Sequence, residues 1–104
     1  MWSGGNMKIK TLEKKRYSIL TNNLDRCYLC GIRKQHLHEI FFGRNRINSM
    51  KYGCVIPVCF SCHEKIHNTH DLDIKLKKEC QKRFMETYEA TRDDFIDIFR
   101  KNYL

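Results

Sequence analysis

Apolar positions along the chain follow two different periods, and each predicts its own elements. Residues 8–20 are basic and close on Tyr17-Ser18-Ile19-Leu20, which reads as a short strand or an extended packing segment. Thr21-Asn22-Asn23-Leu24-Asp25 has the composition of a turn. Leu37 to Phe42 (LHEIFF) reads as a strand, Gly43 to Tyr52 (GRNRINSMKY) as a polar, basic loop, and Gly53 to Val58 (GCVIPV) as a second strand. Pro57 has no N–H to donate, which confines that strand to an edge or ends it there. Downstream the period becomes helical. A short helix is predicted through Cys62 to His67. Leu72, Leu76, Cys80, Phe84 and Tyr88, in steps of four, predict another over 72–88. Thr91 as an N-cap, with Asp93 and Asp94 in the first turn, opens a last helix carrying Phe95, Ile96, Ile98 and Phe99.

The expected fold class is α+β, in one domain of 104 residues. Residues 1–20 form a basic N-terminal segment, of which 1–7 (MWSGGNM) read as a flexible leader with Met7 a candidate native start. A core over 24–70 and a helical extension over 71–104 follow. No apolar run approaches the ~20 residues of a membrane span, and the N-terminus lacks the apolar region of a secretory signal. Membrane and secreted classes are set aside, and a cytoplasmic location is expected.

Charge changes the picture more than size does. The formal charge is +8, and it is unevenly placed: residues 1–70 hold 12 Lys/Arg against 4 Asp/Glu, whereas residues 71–104 hold 8 against 8. A basic excess confined to one part of a small chain points to a polyanionic partner, most often nucleic acid. The alternative is a solvated basic face with no partner.

That same part holds the candidate chemistry. Cys27 and Cys30 form one C-x-x-C and Cys59 and Cys62 another, with 28 residues between them. Four thiolates on two tight knuckles can close a tetrahedron around Zn²⁺, and Gly31 permits the turn beneath the first pair. A thioredoxin-like redox pair, which would need a βαβ context, and an iron–sulfur cluster are the other readings of these spacings. Cys54 and Cys80 belong to neither knuckle and read as small buried hydrophobes. His63 and His67 stand four apart on a predicted helix, so both imidazoles project from one face. The strand carrying His38 precedes them by 25 residues and pairs with the strand that leads into their helix, which can bring His38 opposite. Three imidazoles with a fourth position open describe a catalytic rather than a structural ion. If the strand extends to His36, that residue shares a face with His38 and is a reserve base or ligand; the alternative is an exposed histidine at the strand's start. His70 is given no role.

The strings CYLCG, HLHEIFFG, YGCVIPVC and SCHEKIH, in this order, resemble an HNH nuclease whose ββα-metal finger is stapled by zinc. The likeness is to small phage-type members, including the Ref-like recombination-enhancement nucleases, and covers Cys27 to His67, 41 of 104 residues. It implies a ββα-metal finger, to which the two predicted C-terminal helices are joined. It also implies a structural Zn²⁺ at Cys27, Cys30, Cys59 and Cys62. A second divalent ion (Mg²⁺, Mn²⁺, Ni²⁺ or Zn²⁺) would sit at His38, His63 and His67, with Glu39 in the general-base position. Two departures stand out. Glu39 replaces the usual His, and Cys54 aligns with the family's Asn, for which Asn45 or Asn48 in the preceding loop stands in.

The expected function is metal-dependent hydrolysis of DNA phosphodiester bonds, with Glu39 and Asn48 as catalytic side chains. Arg33, Lys34, Arg44, Arg46 and Lys51 would hold the phosphate backbone. The alternatives are a non-catalytic zinc-dependent nucleic-acid-binding protein with a degenerate site, and an adaptor in which zinc supports a protein-binding surface. The C-terminal helices are a candidate surface for a protein partner or for self-association.

Overall fold

The computed structural model describes residues 9–104, so the leader expected at 1–7 lies outside the described residues. In chain order the elements are α1 (Ile9–Lys14), β1 (His36–Glu39), a 3-10 turn (Gly43–Asn45) running into α2 (Arg46–Lys51), β2 (Val55–Val58), α3 (Phe60–Asn68), α4 (His70–Thr87) and α5 (Arg92–Phe99). The chain is thus a small mixed α/β structure around one two-stranded antiparallel sheet. No helix among the described residues is long and apolar enough to cross a membrane.

The sheet pairs His36 with Val58, Leu37 with Pro57, His38 with Ile56 and Glu39 with Val55, one residue against one throughout. Neighbouring strand residues face opposite sides. This register therefore sorts His36, His38, Ile56 and Val58 onto one face, and Leu37, Glu39, Val55 and Pro57 onto the other. Ile56 and Val58 enter the main core with Ile66, Leu76, Cys80, Phe84, Phe95 and Phe99. Val55 and Leu37 pack instead with Leu12 and Met50, beneath α1 and α2. Each helix covers the face whose apolar residues it can bury.

β1 ends sooner than its apolar run, and β2 begins later than its own. Ile40 N still donates to Cys54 O at 2.9 Å, but Phe41 then bonds to the Ser49 hydroxyl through both its N–H (3.1 Å) and its carbonyl (2.7 Å). A buried serine thus takes the place of a strand partner. The segment expected as a loop, 43–52, is mostly helical. Asn45, Asn48 and Ser49 have weak helix propensity, and what holds α2 is tertiary: Met50 and Ser49 are buried beneath it. Residues 17–20 form no strand: Ile19 N donates to Gly53 O at 2.9 Å, and the chain then turns on the Ser18 hydroxyl, which accepts from Leu20 N and Thr21 N. Gly53 has φ +74, and a Cβ there would come within 2.5 Å of the Tyr17 ring, so only glycine suits this crossing.

The C-terminal helices follow the pattern closely. α4 buries Leu76, Cys80 and Phe84 of its four-step row, and α5 buries Phe95 and Phe99. Thr91 caps α5 in a reciprocal box: its Oγ1 accepts from Asp94 N and its own N–H donates to Asp94 Oδ2. Cys54 and Cys80 are fully buried in the main core, as small hydrophobes would be. The buried Gln81 amide bonds to Asn102 and to Tyr103 N and fastens the C-terminal tail.

Candidate metal centres

The first knuckle is a tight loop. Cys27 N donates to Ile32 O, Gly31 N donates to Cys27 O, and Gly31 takes φ +84 to allow it. Tyr28 N donates to the Pro57 carbonyl at 2.8 Å and ties the loop to β2. The second knuckle is the start of α3, where Cys59 is the N-cap and its Sγ accepts from Cys62 N. The four sulfurs lie within 4.8 Å of one another, and Cys30 Sγ is 3.7 Å from Cys59 Sγ. A tetrahedron with zinc–sulfur bonds of about 2.3 Å has an edge of ~3.8 Å. Cys27, Cys30, Cys59 and Cys62 can therefore hold a metal ion such as zinc. Burial pushes the Cys27 thiol up, but backbone hydrogen bonding at Cys59, Cys30 and Leu29 outweighs it and brings the group down to about 6. Cys62 is pushed up to about 12, by burial first and then by the neighbouring thiols. Metal uptake must displace protons from these thiols.

The second cluster lies across the sheet face from α3. β1 turns His38 inward, where it is 2% exposed, and α3 presents His63 and His67 one turn apart. Gln35 Oε1 accepts from Phe60 N at 2.7 Å, which fixes the start of α3 against the start of β1. His63 Nε2 and His67 Nε2 are 3.2 Å apart, and each of the three rings offers a nitrogen within 4.8 Å of the others. Nitrogens on a zinc tetrahedron, with bonds of about 2.0–2.1 Å, would be ~3.3 Å apart. His38 Nε2 is buried without a hydrogen-bond partner. Burial, and then the neighbouring His63 and His67, hold this imidazole down to about 3. Burial also lowers His63, followed by His67 and His36. A neutral buried imidazole with an unpartnered nitrogen is the donor that a cation requires. The three residues could hold a metal ion.

His36 stands beside this set, its ring centroid 5.1 Å from that of His63. His70 opens α4 and belongs to neither cluster.

The two side chains expected to be catalytic are not brought to the cluster. Glu39 sits on the other sheet face, where Arg46 Nε donates to its Oε1 at 2.9 Å and Arg16 lies 3.1 Å from its Oε2. Arg46 also bonds to Glu13. Bringing both His38 and Glu39 into one site needs a bulge or sharp local twist, and the one-to-one register has no bulge. Asn48 donates through Nδ2 to Ile98 O at 3.1 Å, and Asn45 to Phe99 O at 3.0 Å. Both amides serve the C-terminal carbonyls of α5, which a helix leaves without intrahelical partners.

The basic residues divide. Arg33 and Lys34 line an open cavity by the first knuckle with Arg26, while Arg44 and Lys51 line a groove between α2 and α5 with Arg100. Arg46 is engaged by Glu39 and Glu13 instead. Arg16 and the phenylalanines beside the imidazoles, Phe42 and Phe60, had no signal in the sequence, because their roles come from elements distant in the chain. No protein-family model matches the chain, no curated protein matches it, and no solved structure matches it.

Proposed function

We propose that the chain is a metal-dependent nuclease of the HNH type. It would hydrolyse DNA phosphodiester bonds at His38, His63 and His67, with a structural zinc ion at the four knuckle cysteines. The observation that carries this reading is the buried His38, whose Nε2 has no hydrogen-bond partner and which offers a ring nitrogen within 4.8 Å of those of His63 and His67. An ion held there supplies positive charge where negative charge builds on the phosphate and the leaving oxygen. The remaining work falls to the chain's own residues. His36 shares the sheet face of His38 and is the residue to accept a proton from the attacking water, a role for which imidazole is suited near neutral pH. Arg33, Lys34, Arg44 and Lys51 hold the strand by its phosphates.

One observation favours a second reading. The family's base position is Glu39, and its carboxylate is held by two arginines. On that ground the chain binds nucleic acid and metal without cutting.

A cleavage assay over Mg²⁺, Mn²⁺, Ni²⁺ and Zn²⁺, with a supercoiled plasmid and a single-stranded circle, decides between them. His63→Ala should abolish cutting while leaving the cysteine site loaded. His36→Ala should slow it by roughly two to four orders of magnitude, the size of a general-base contribution. Glu39→Ala should stay within a small factor of wild type. A wild-type protein inert with every ion, yet retaining DNA, establishes the second reading.

A further inference from the structure

The chain has six phenylalanines, and four of them, Phe41, Phe84, Phe95 and Phe99, are no more than 1% exposed. The other two, Phe42 and Phe60, are 44% and 54% exposed. Phe42 stands against the imidazole cluster, and Phe60 against His36 beside it. The Phe42 centroid is 5.5 Å from that of His67 and 6.1 Å from that of His38, and the Phe60 centroid is 6.1 Å from that of His36. A continuous series of ring contacts runs Phe60, His36, His63, His67, Phe42.

Packing within the fold does not explain this placement, since an exposed phenylalanine forgoes the stabilisation that its buried counterparts gain. The surroundings nevertheless fix both positions. Lys77 Nζ lies 4.3 Å from the centre of the Phe42 ring and is itself held by Asp73 Oδ2 at 2.7 Å. The Phe60 backbone N–H is held by Gln35 Oε1. Phe42, with a cation over its ring, and Phe60, on a backbone fixed to Gln35, therefore expose two rings at the candidate metal cluster, in the part of the chain that carries the whole +8. Flat apolar rings beside positive charge are what nucleobases stack on while their phosphates are held. A closed duplex offers no free base faces within its length, because each base is stacked between its neighbours. Unpaired nucleotides offer them.

We infer that Phe42 and Phe60 are base-stacking platforms, and that the strand crossing the imidazole cluster is single-stranded or locally melted nucleic acid. This rests on reading the cluster as a nucleic-acid site. The test is fluorescence anisotropy of zinc-loaded protein with labelled oligothymidylate, with its blunt duplex, and with oligouridylate, before any further divalent ion is added. Oligothymidylate should bind roughly tenfold more tightly than the duplex. Phe42→Ala and Phe60→Ala should each weaken single-strand binding by roughly fivefold or more while leaving duplex binding unchanged. Phe42→Trp and Phe60→Trp, which keep a flat ring, should retain it. Oligouridylate distinguishes a ribose from a deoxyribose strand, and preference for either over the duplex supports the inference. Equal affinity for strand and duplex, or single-strand affinity unmoved by both alanine variants, overturns it. Cleavage is read separately, once the ion is added. A protein that selects single strands through these rings but cuts nothing overturns the hydrolytic reading and leaves the stacking inference standing. One that cuts and binds duplex without regard to the rings does the reverse.

Discussion

Glu39 has a side chain only 11% exposed, and it meets Arg16 and Arg46 together. Removing it leaves two guanidinium groups sharing a partly buried space with Glu13 alone. Glu39→Ala should therefore lower stability by about 1.5–3 kcal/mol, the scale of hydrogen bonds to charged groups, as read from urea unfolding. Its effect on stability should exceed its effect on cleavage. A large loss of cleavage with stability intact would return Glu39 to the role of base. His38 sets a pH dependence in the metal-free cluster. Burial and then its neighbours hold its folded value down to about 3, whereas an unfolded histidine takes up a proton near 6.5. The unfolded chain thus binds the extra proton first. The contribution of His38 is fully present above about 6.5 and is lost as pH falls from there toward about 3, at no more than about 1.4 kcal/mol per pH unit. Thermal melts between pH 7 and 5 should fall more steeply for wild type than for His38→Gln, and parallel curves would refute this account.

Whole elements here are held by side chains from remote elements. α5 ends at Arg100, whose φ of 67 is left-handed, and its Ile98 and Phe99 carbonyls accept from Asn48 and Asn45. Asn48→Ala should cost about 1 kcal/mol in thermal unfolding and leave metal content unchanged. An active-site asparagine would show the opposite pattern, a stable protein with impaired cleavage. At the crossing of 17–20 over Gly53, Gly53→Ala combines a left-handed φ with a clash against the Tyr17 ring. It should destabilise by at least about 1–2 kcal/mol, because L-residues resist that conformation. Tyr17 OH also donates to Lys51 O at 2.6 Å, so this variant should loosen the contact between the N-terminal segment and the end of α2.

Cys27, Cys59 and Cys62 lie in the same buried cluster as Phe84, Phe95 and Phe99. The knuckles and the C-terminal helices share one core, so metal and helices should be lost together. Cys59→Ser, or chelation of the zinc, should remove α4 and α5 helicity along with the finger, in one transition seen by circular dichroism. Survival of the helical signal after chelation would show the helices to be independent. Across the surface, the cations at the first knuckle and those between α2 and α5 form two groups. Binding to nucleic acid should weaken steeply with salt. Arg44→Ala should reduce the salt slope by about one unit, whereas Arg46→Ala should act mainly through stability.

Local pattern was sufficient wherever one element decides the outcome. The steps of four from Leu72 to Phe84, the Thr91 cap, the two C-x-x-C knuckles and the His63–His67 pair are short-range features, and the fold keeps each of them. Even His38 was legible, because its strand pairs with the strand that leads directly into the helix of His63 and His67. That His38 and Glu39 face opposite ways was legible too, from strand alternation alone. What covers the Glu39 face was not: α1 and α2 close it, with Arg16 and Arg46 on the carboxylate, and the pairing of β1 with β2 has no bulge to bring it round. The same holds for Asn48, whose weak helix propensity reads as loop until Met50 is buried beneath it, and for Phe42 and Phe60, which converge from the end of β1 and the start of α3. Periodicity and spacing record which residues share an element. Which element a side chain then meets depends on packing between segments far apart in the chain, and that was decided only in three dimensions.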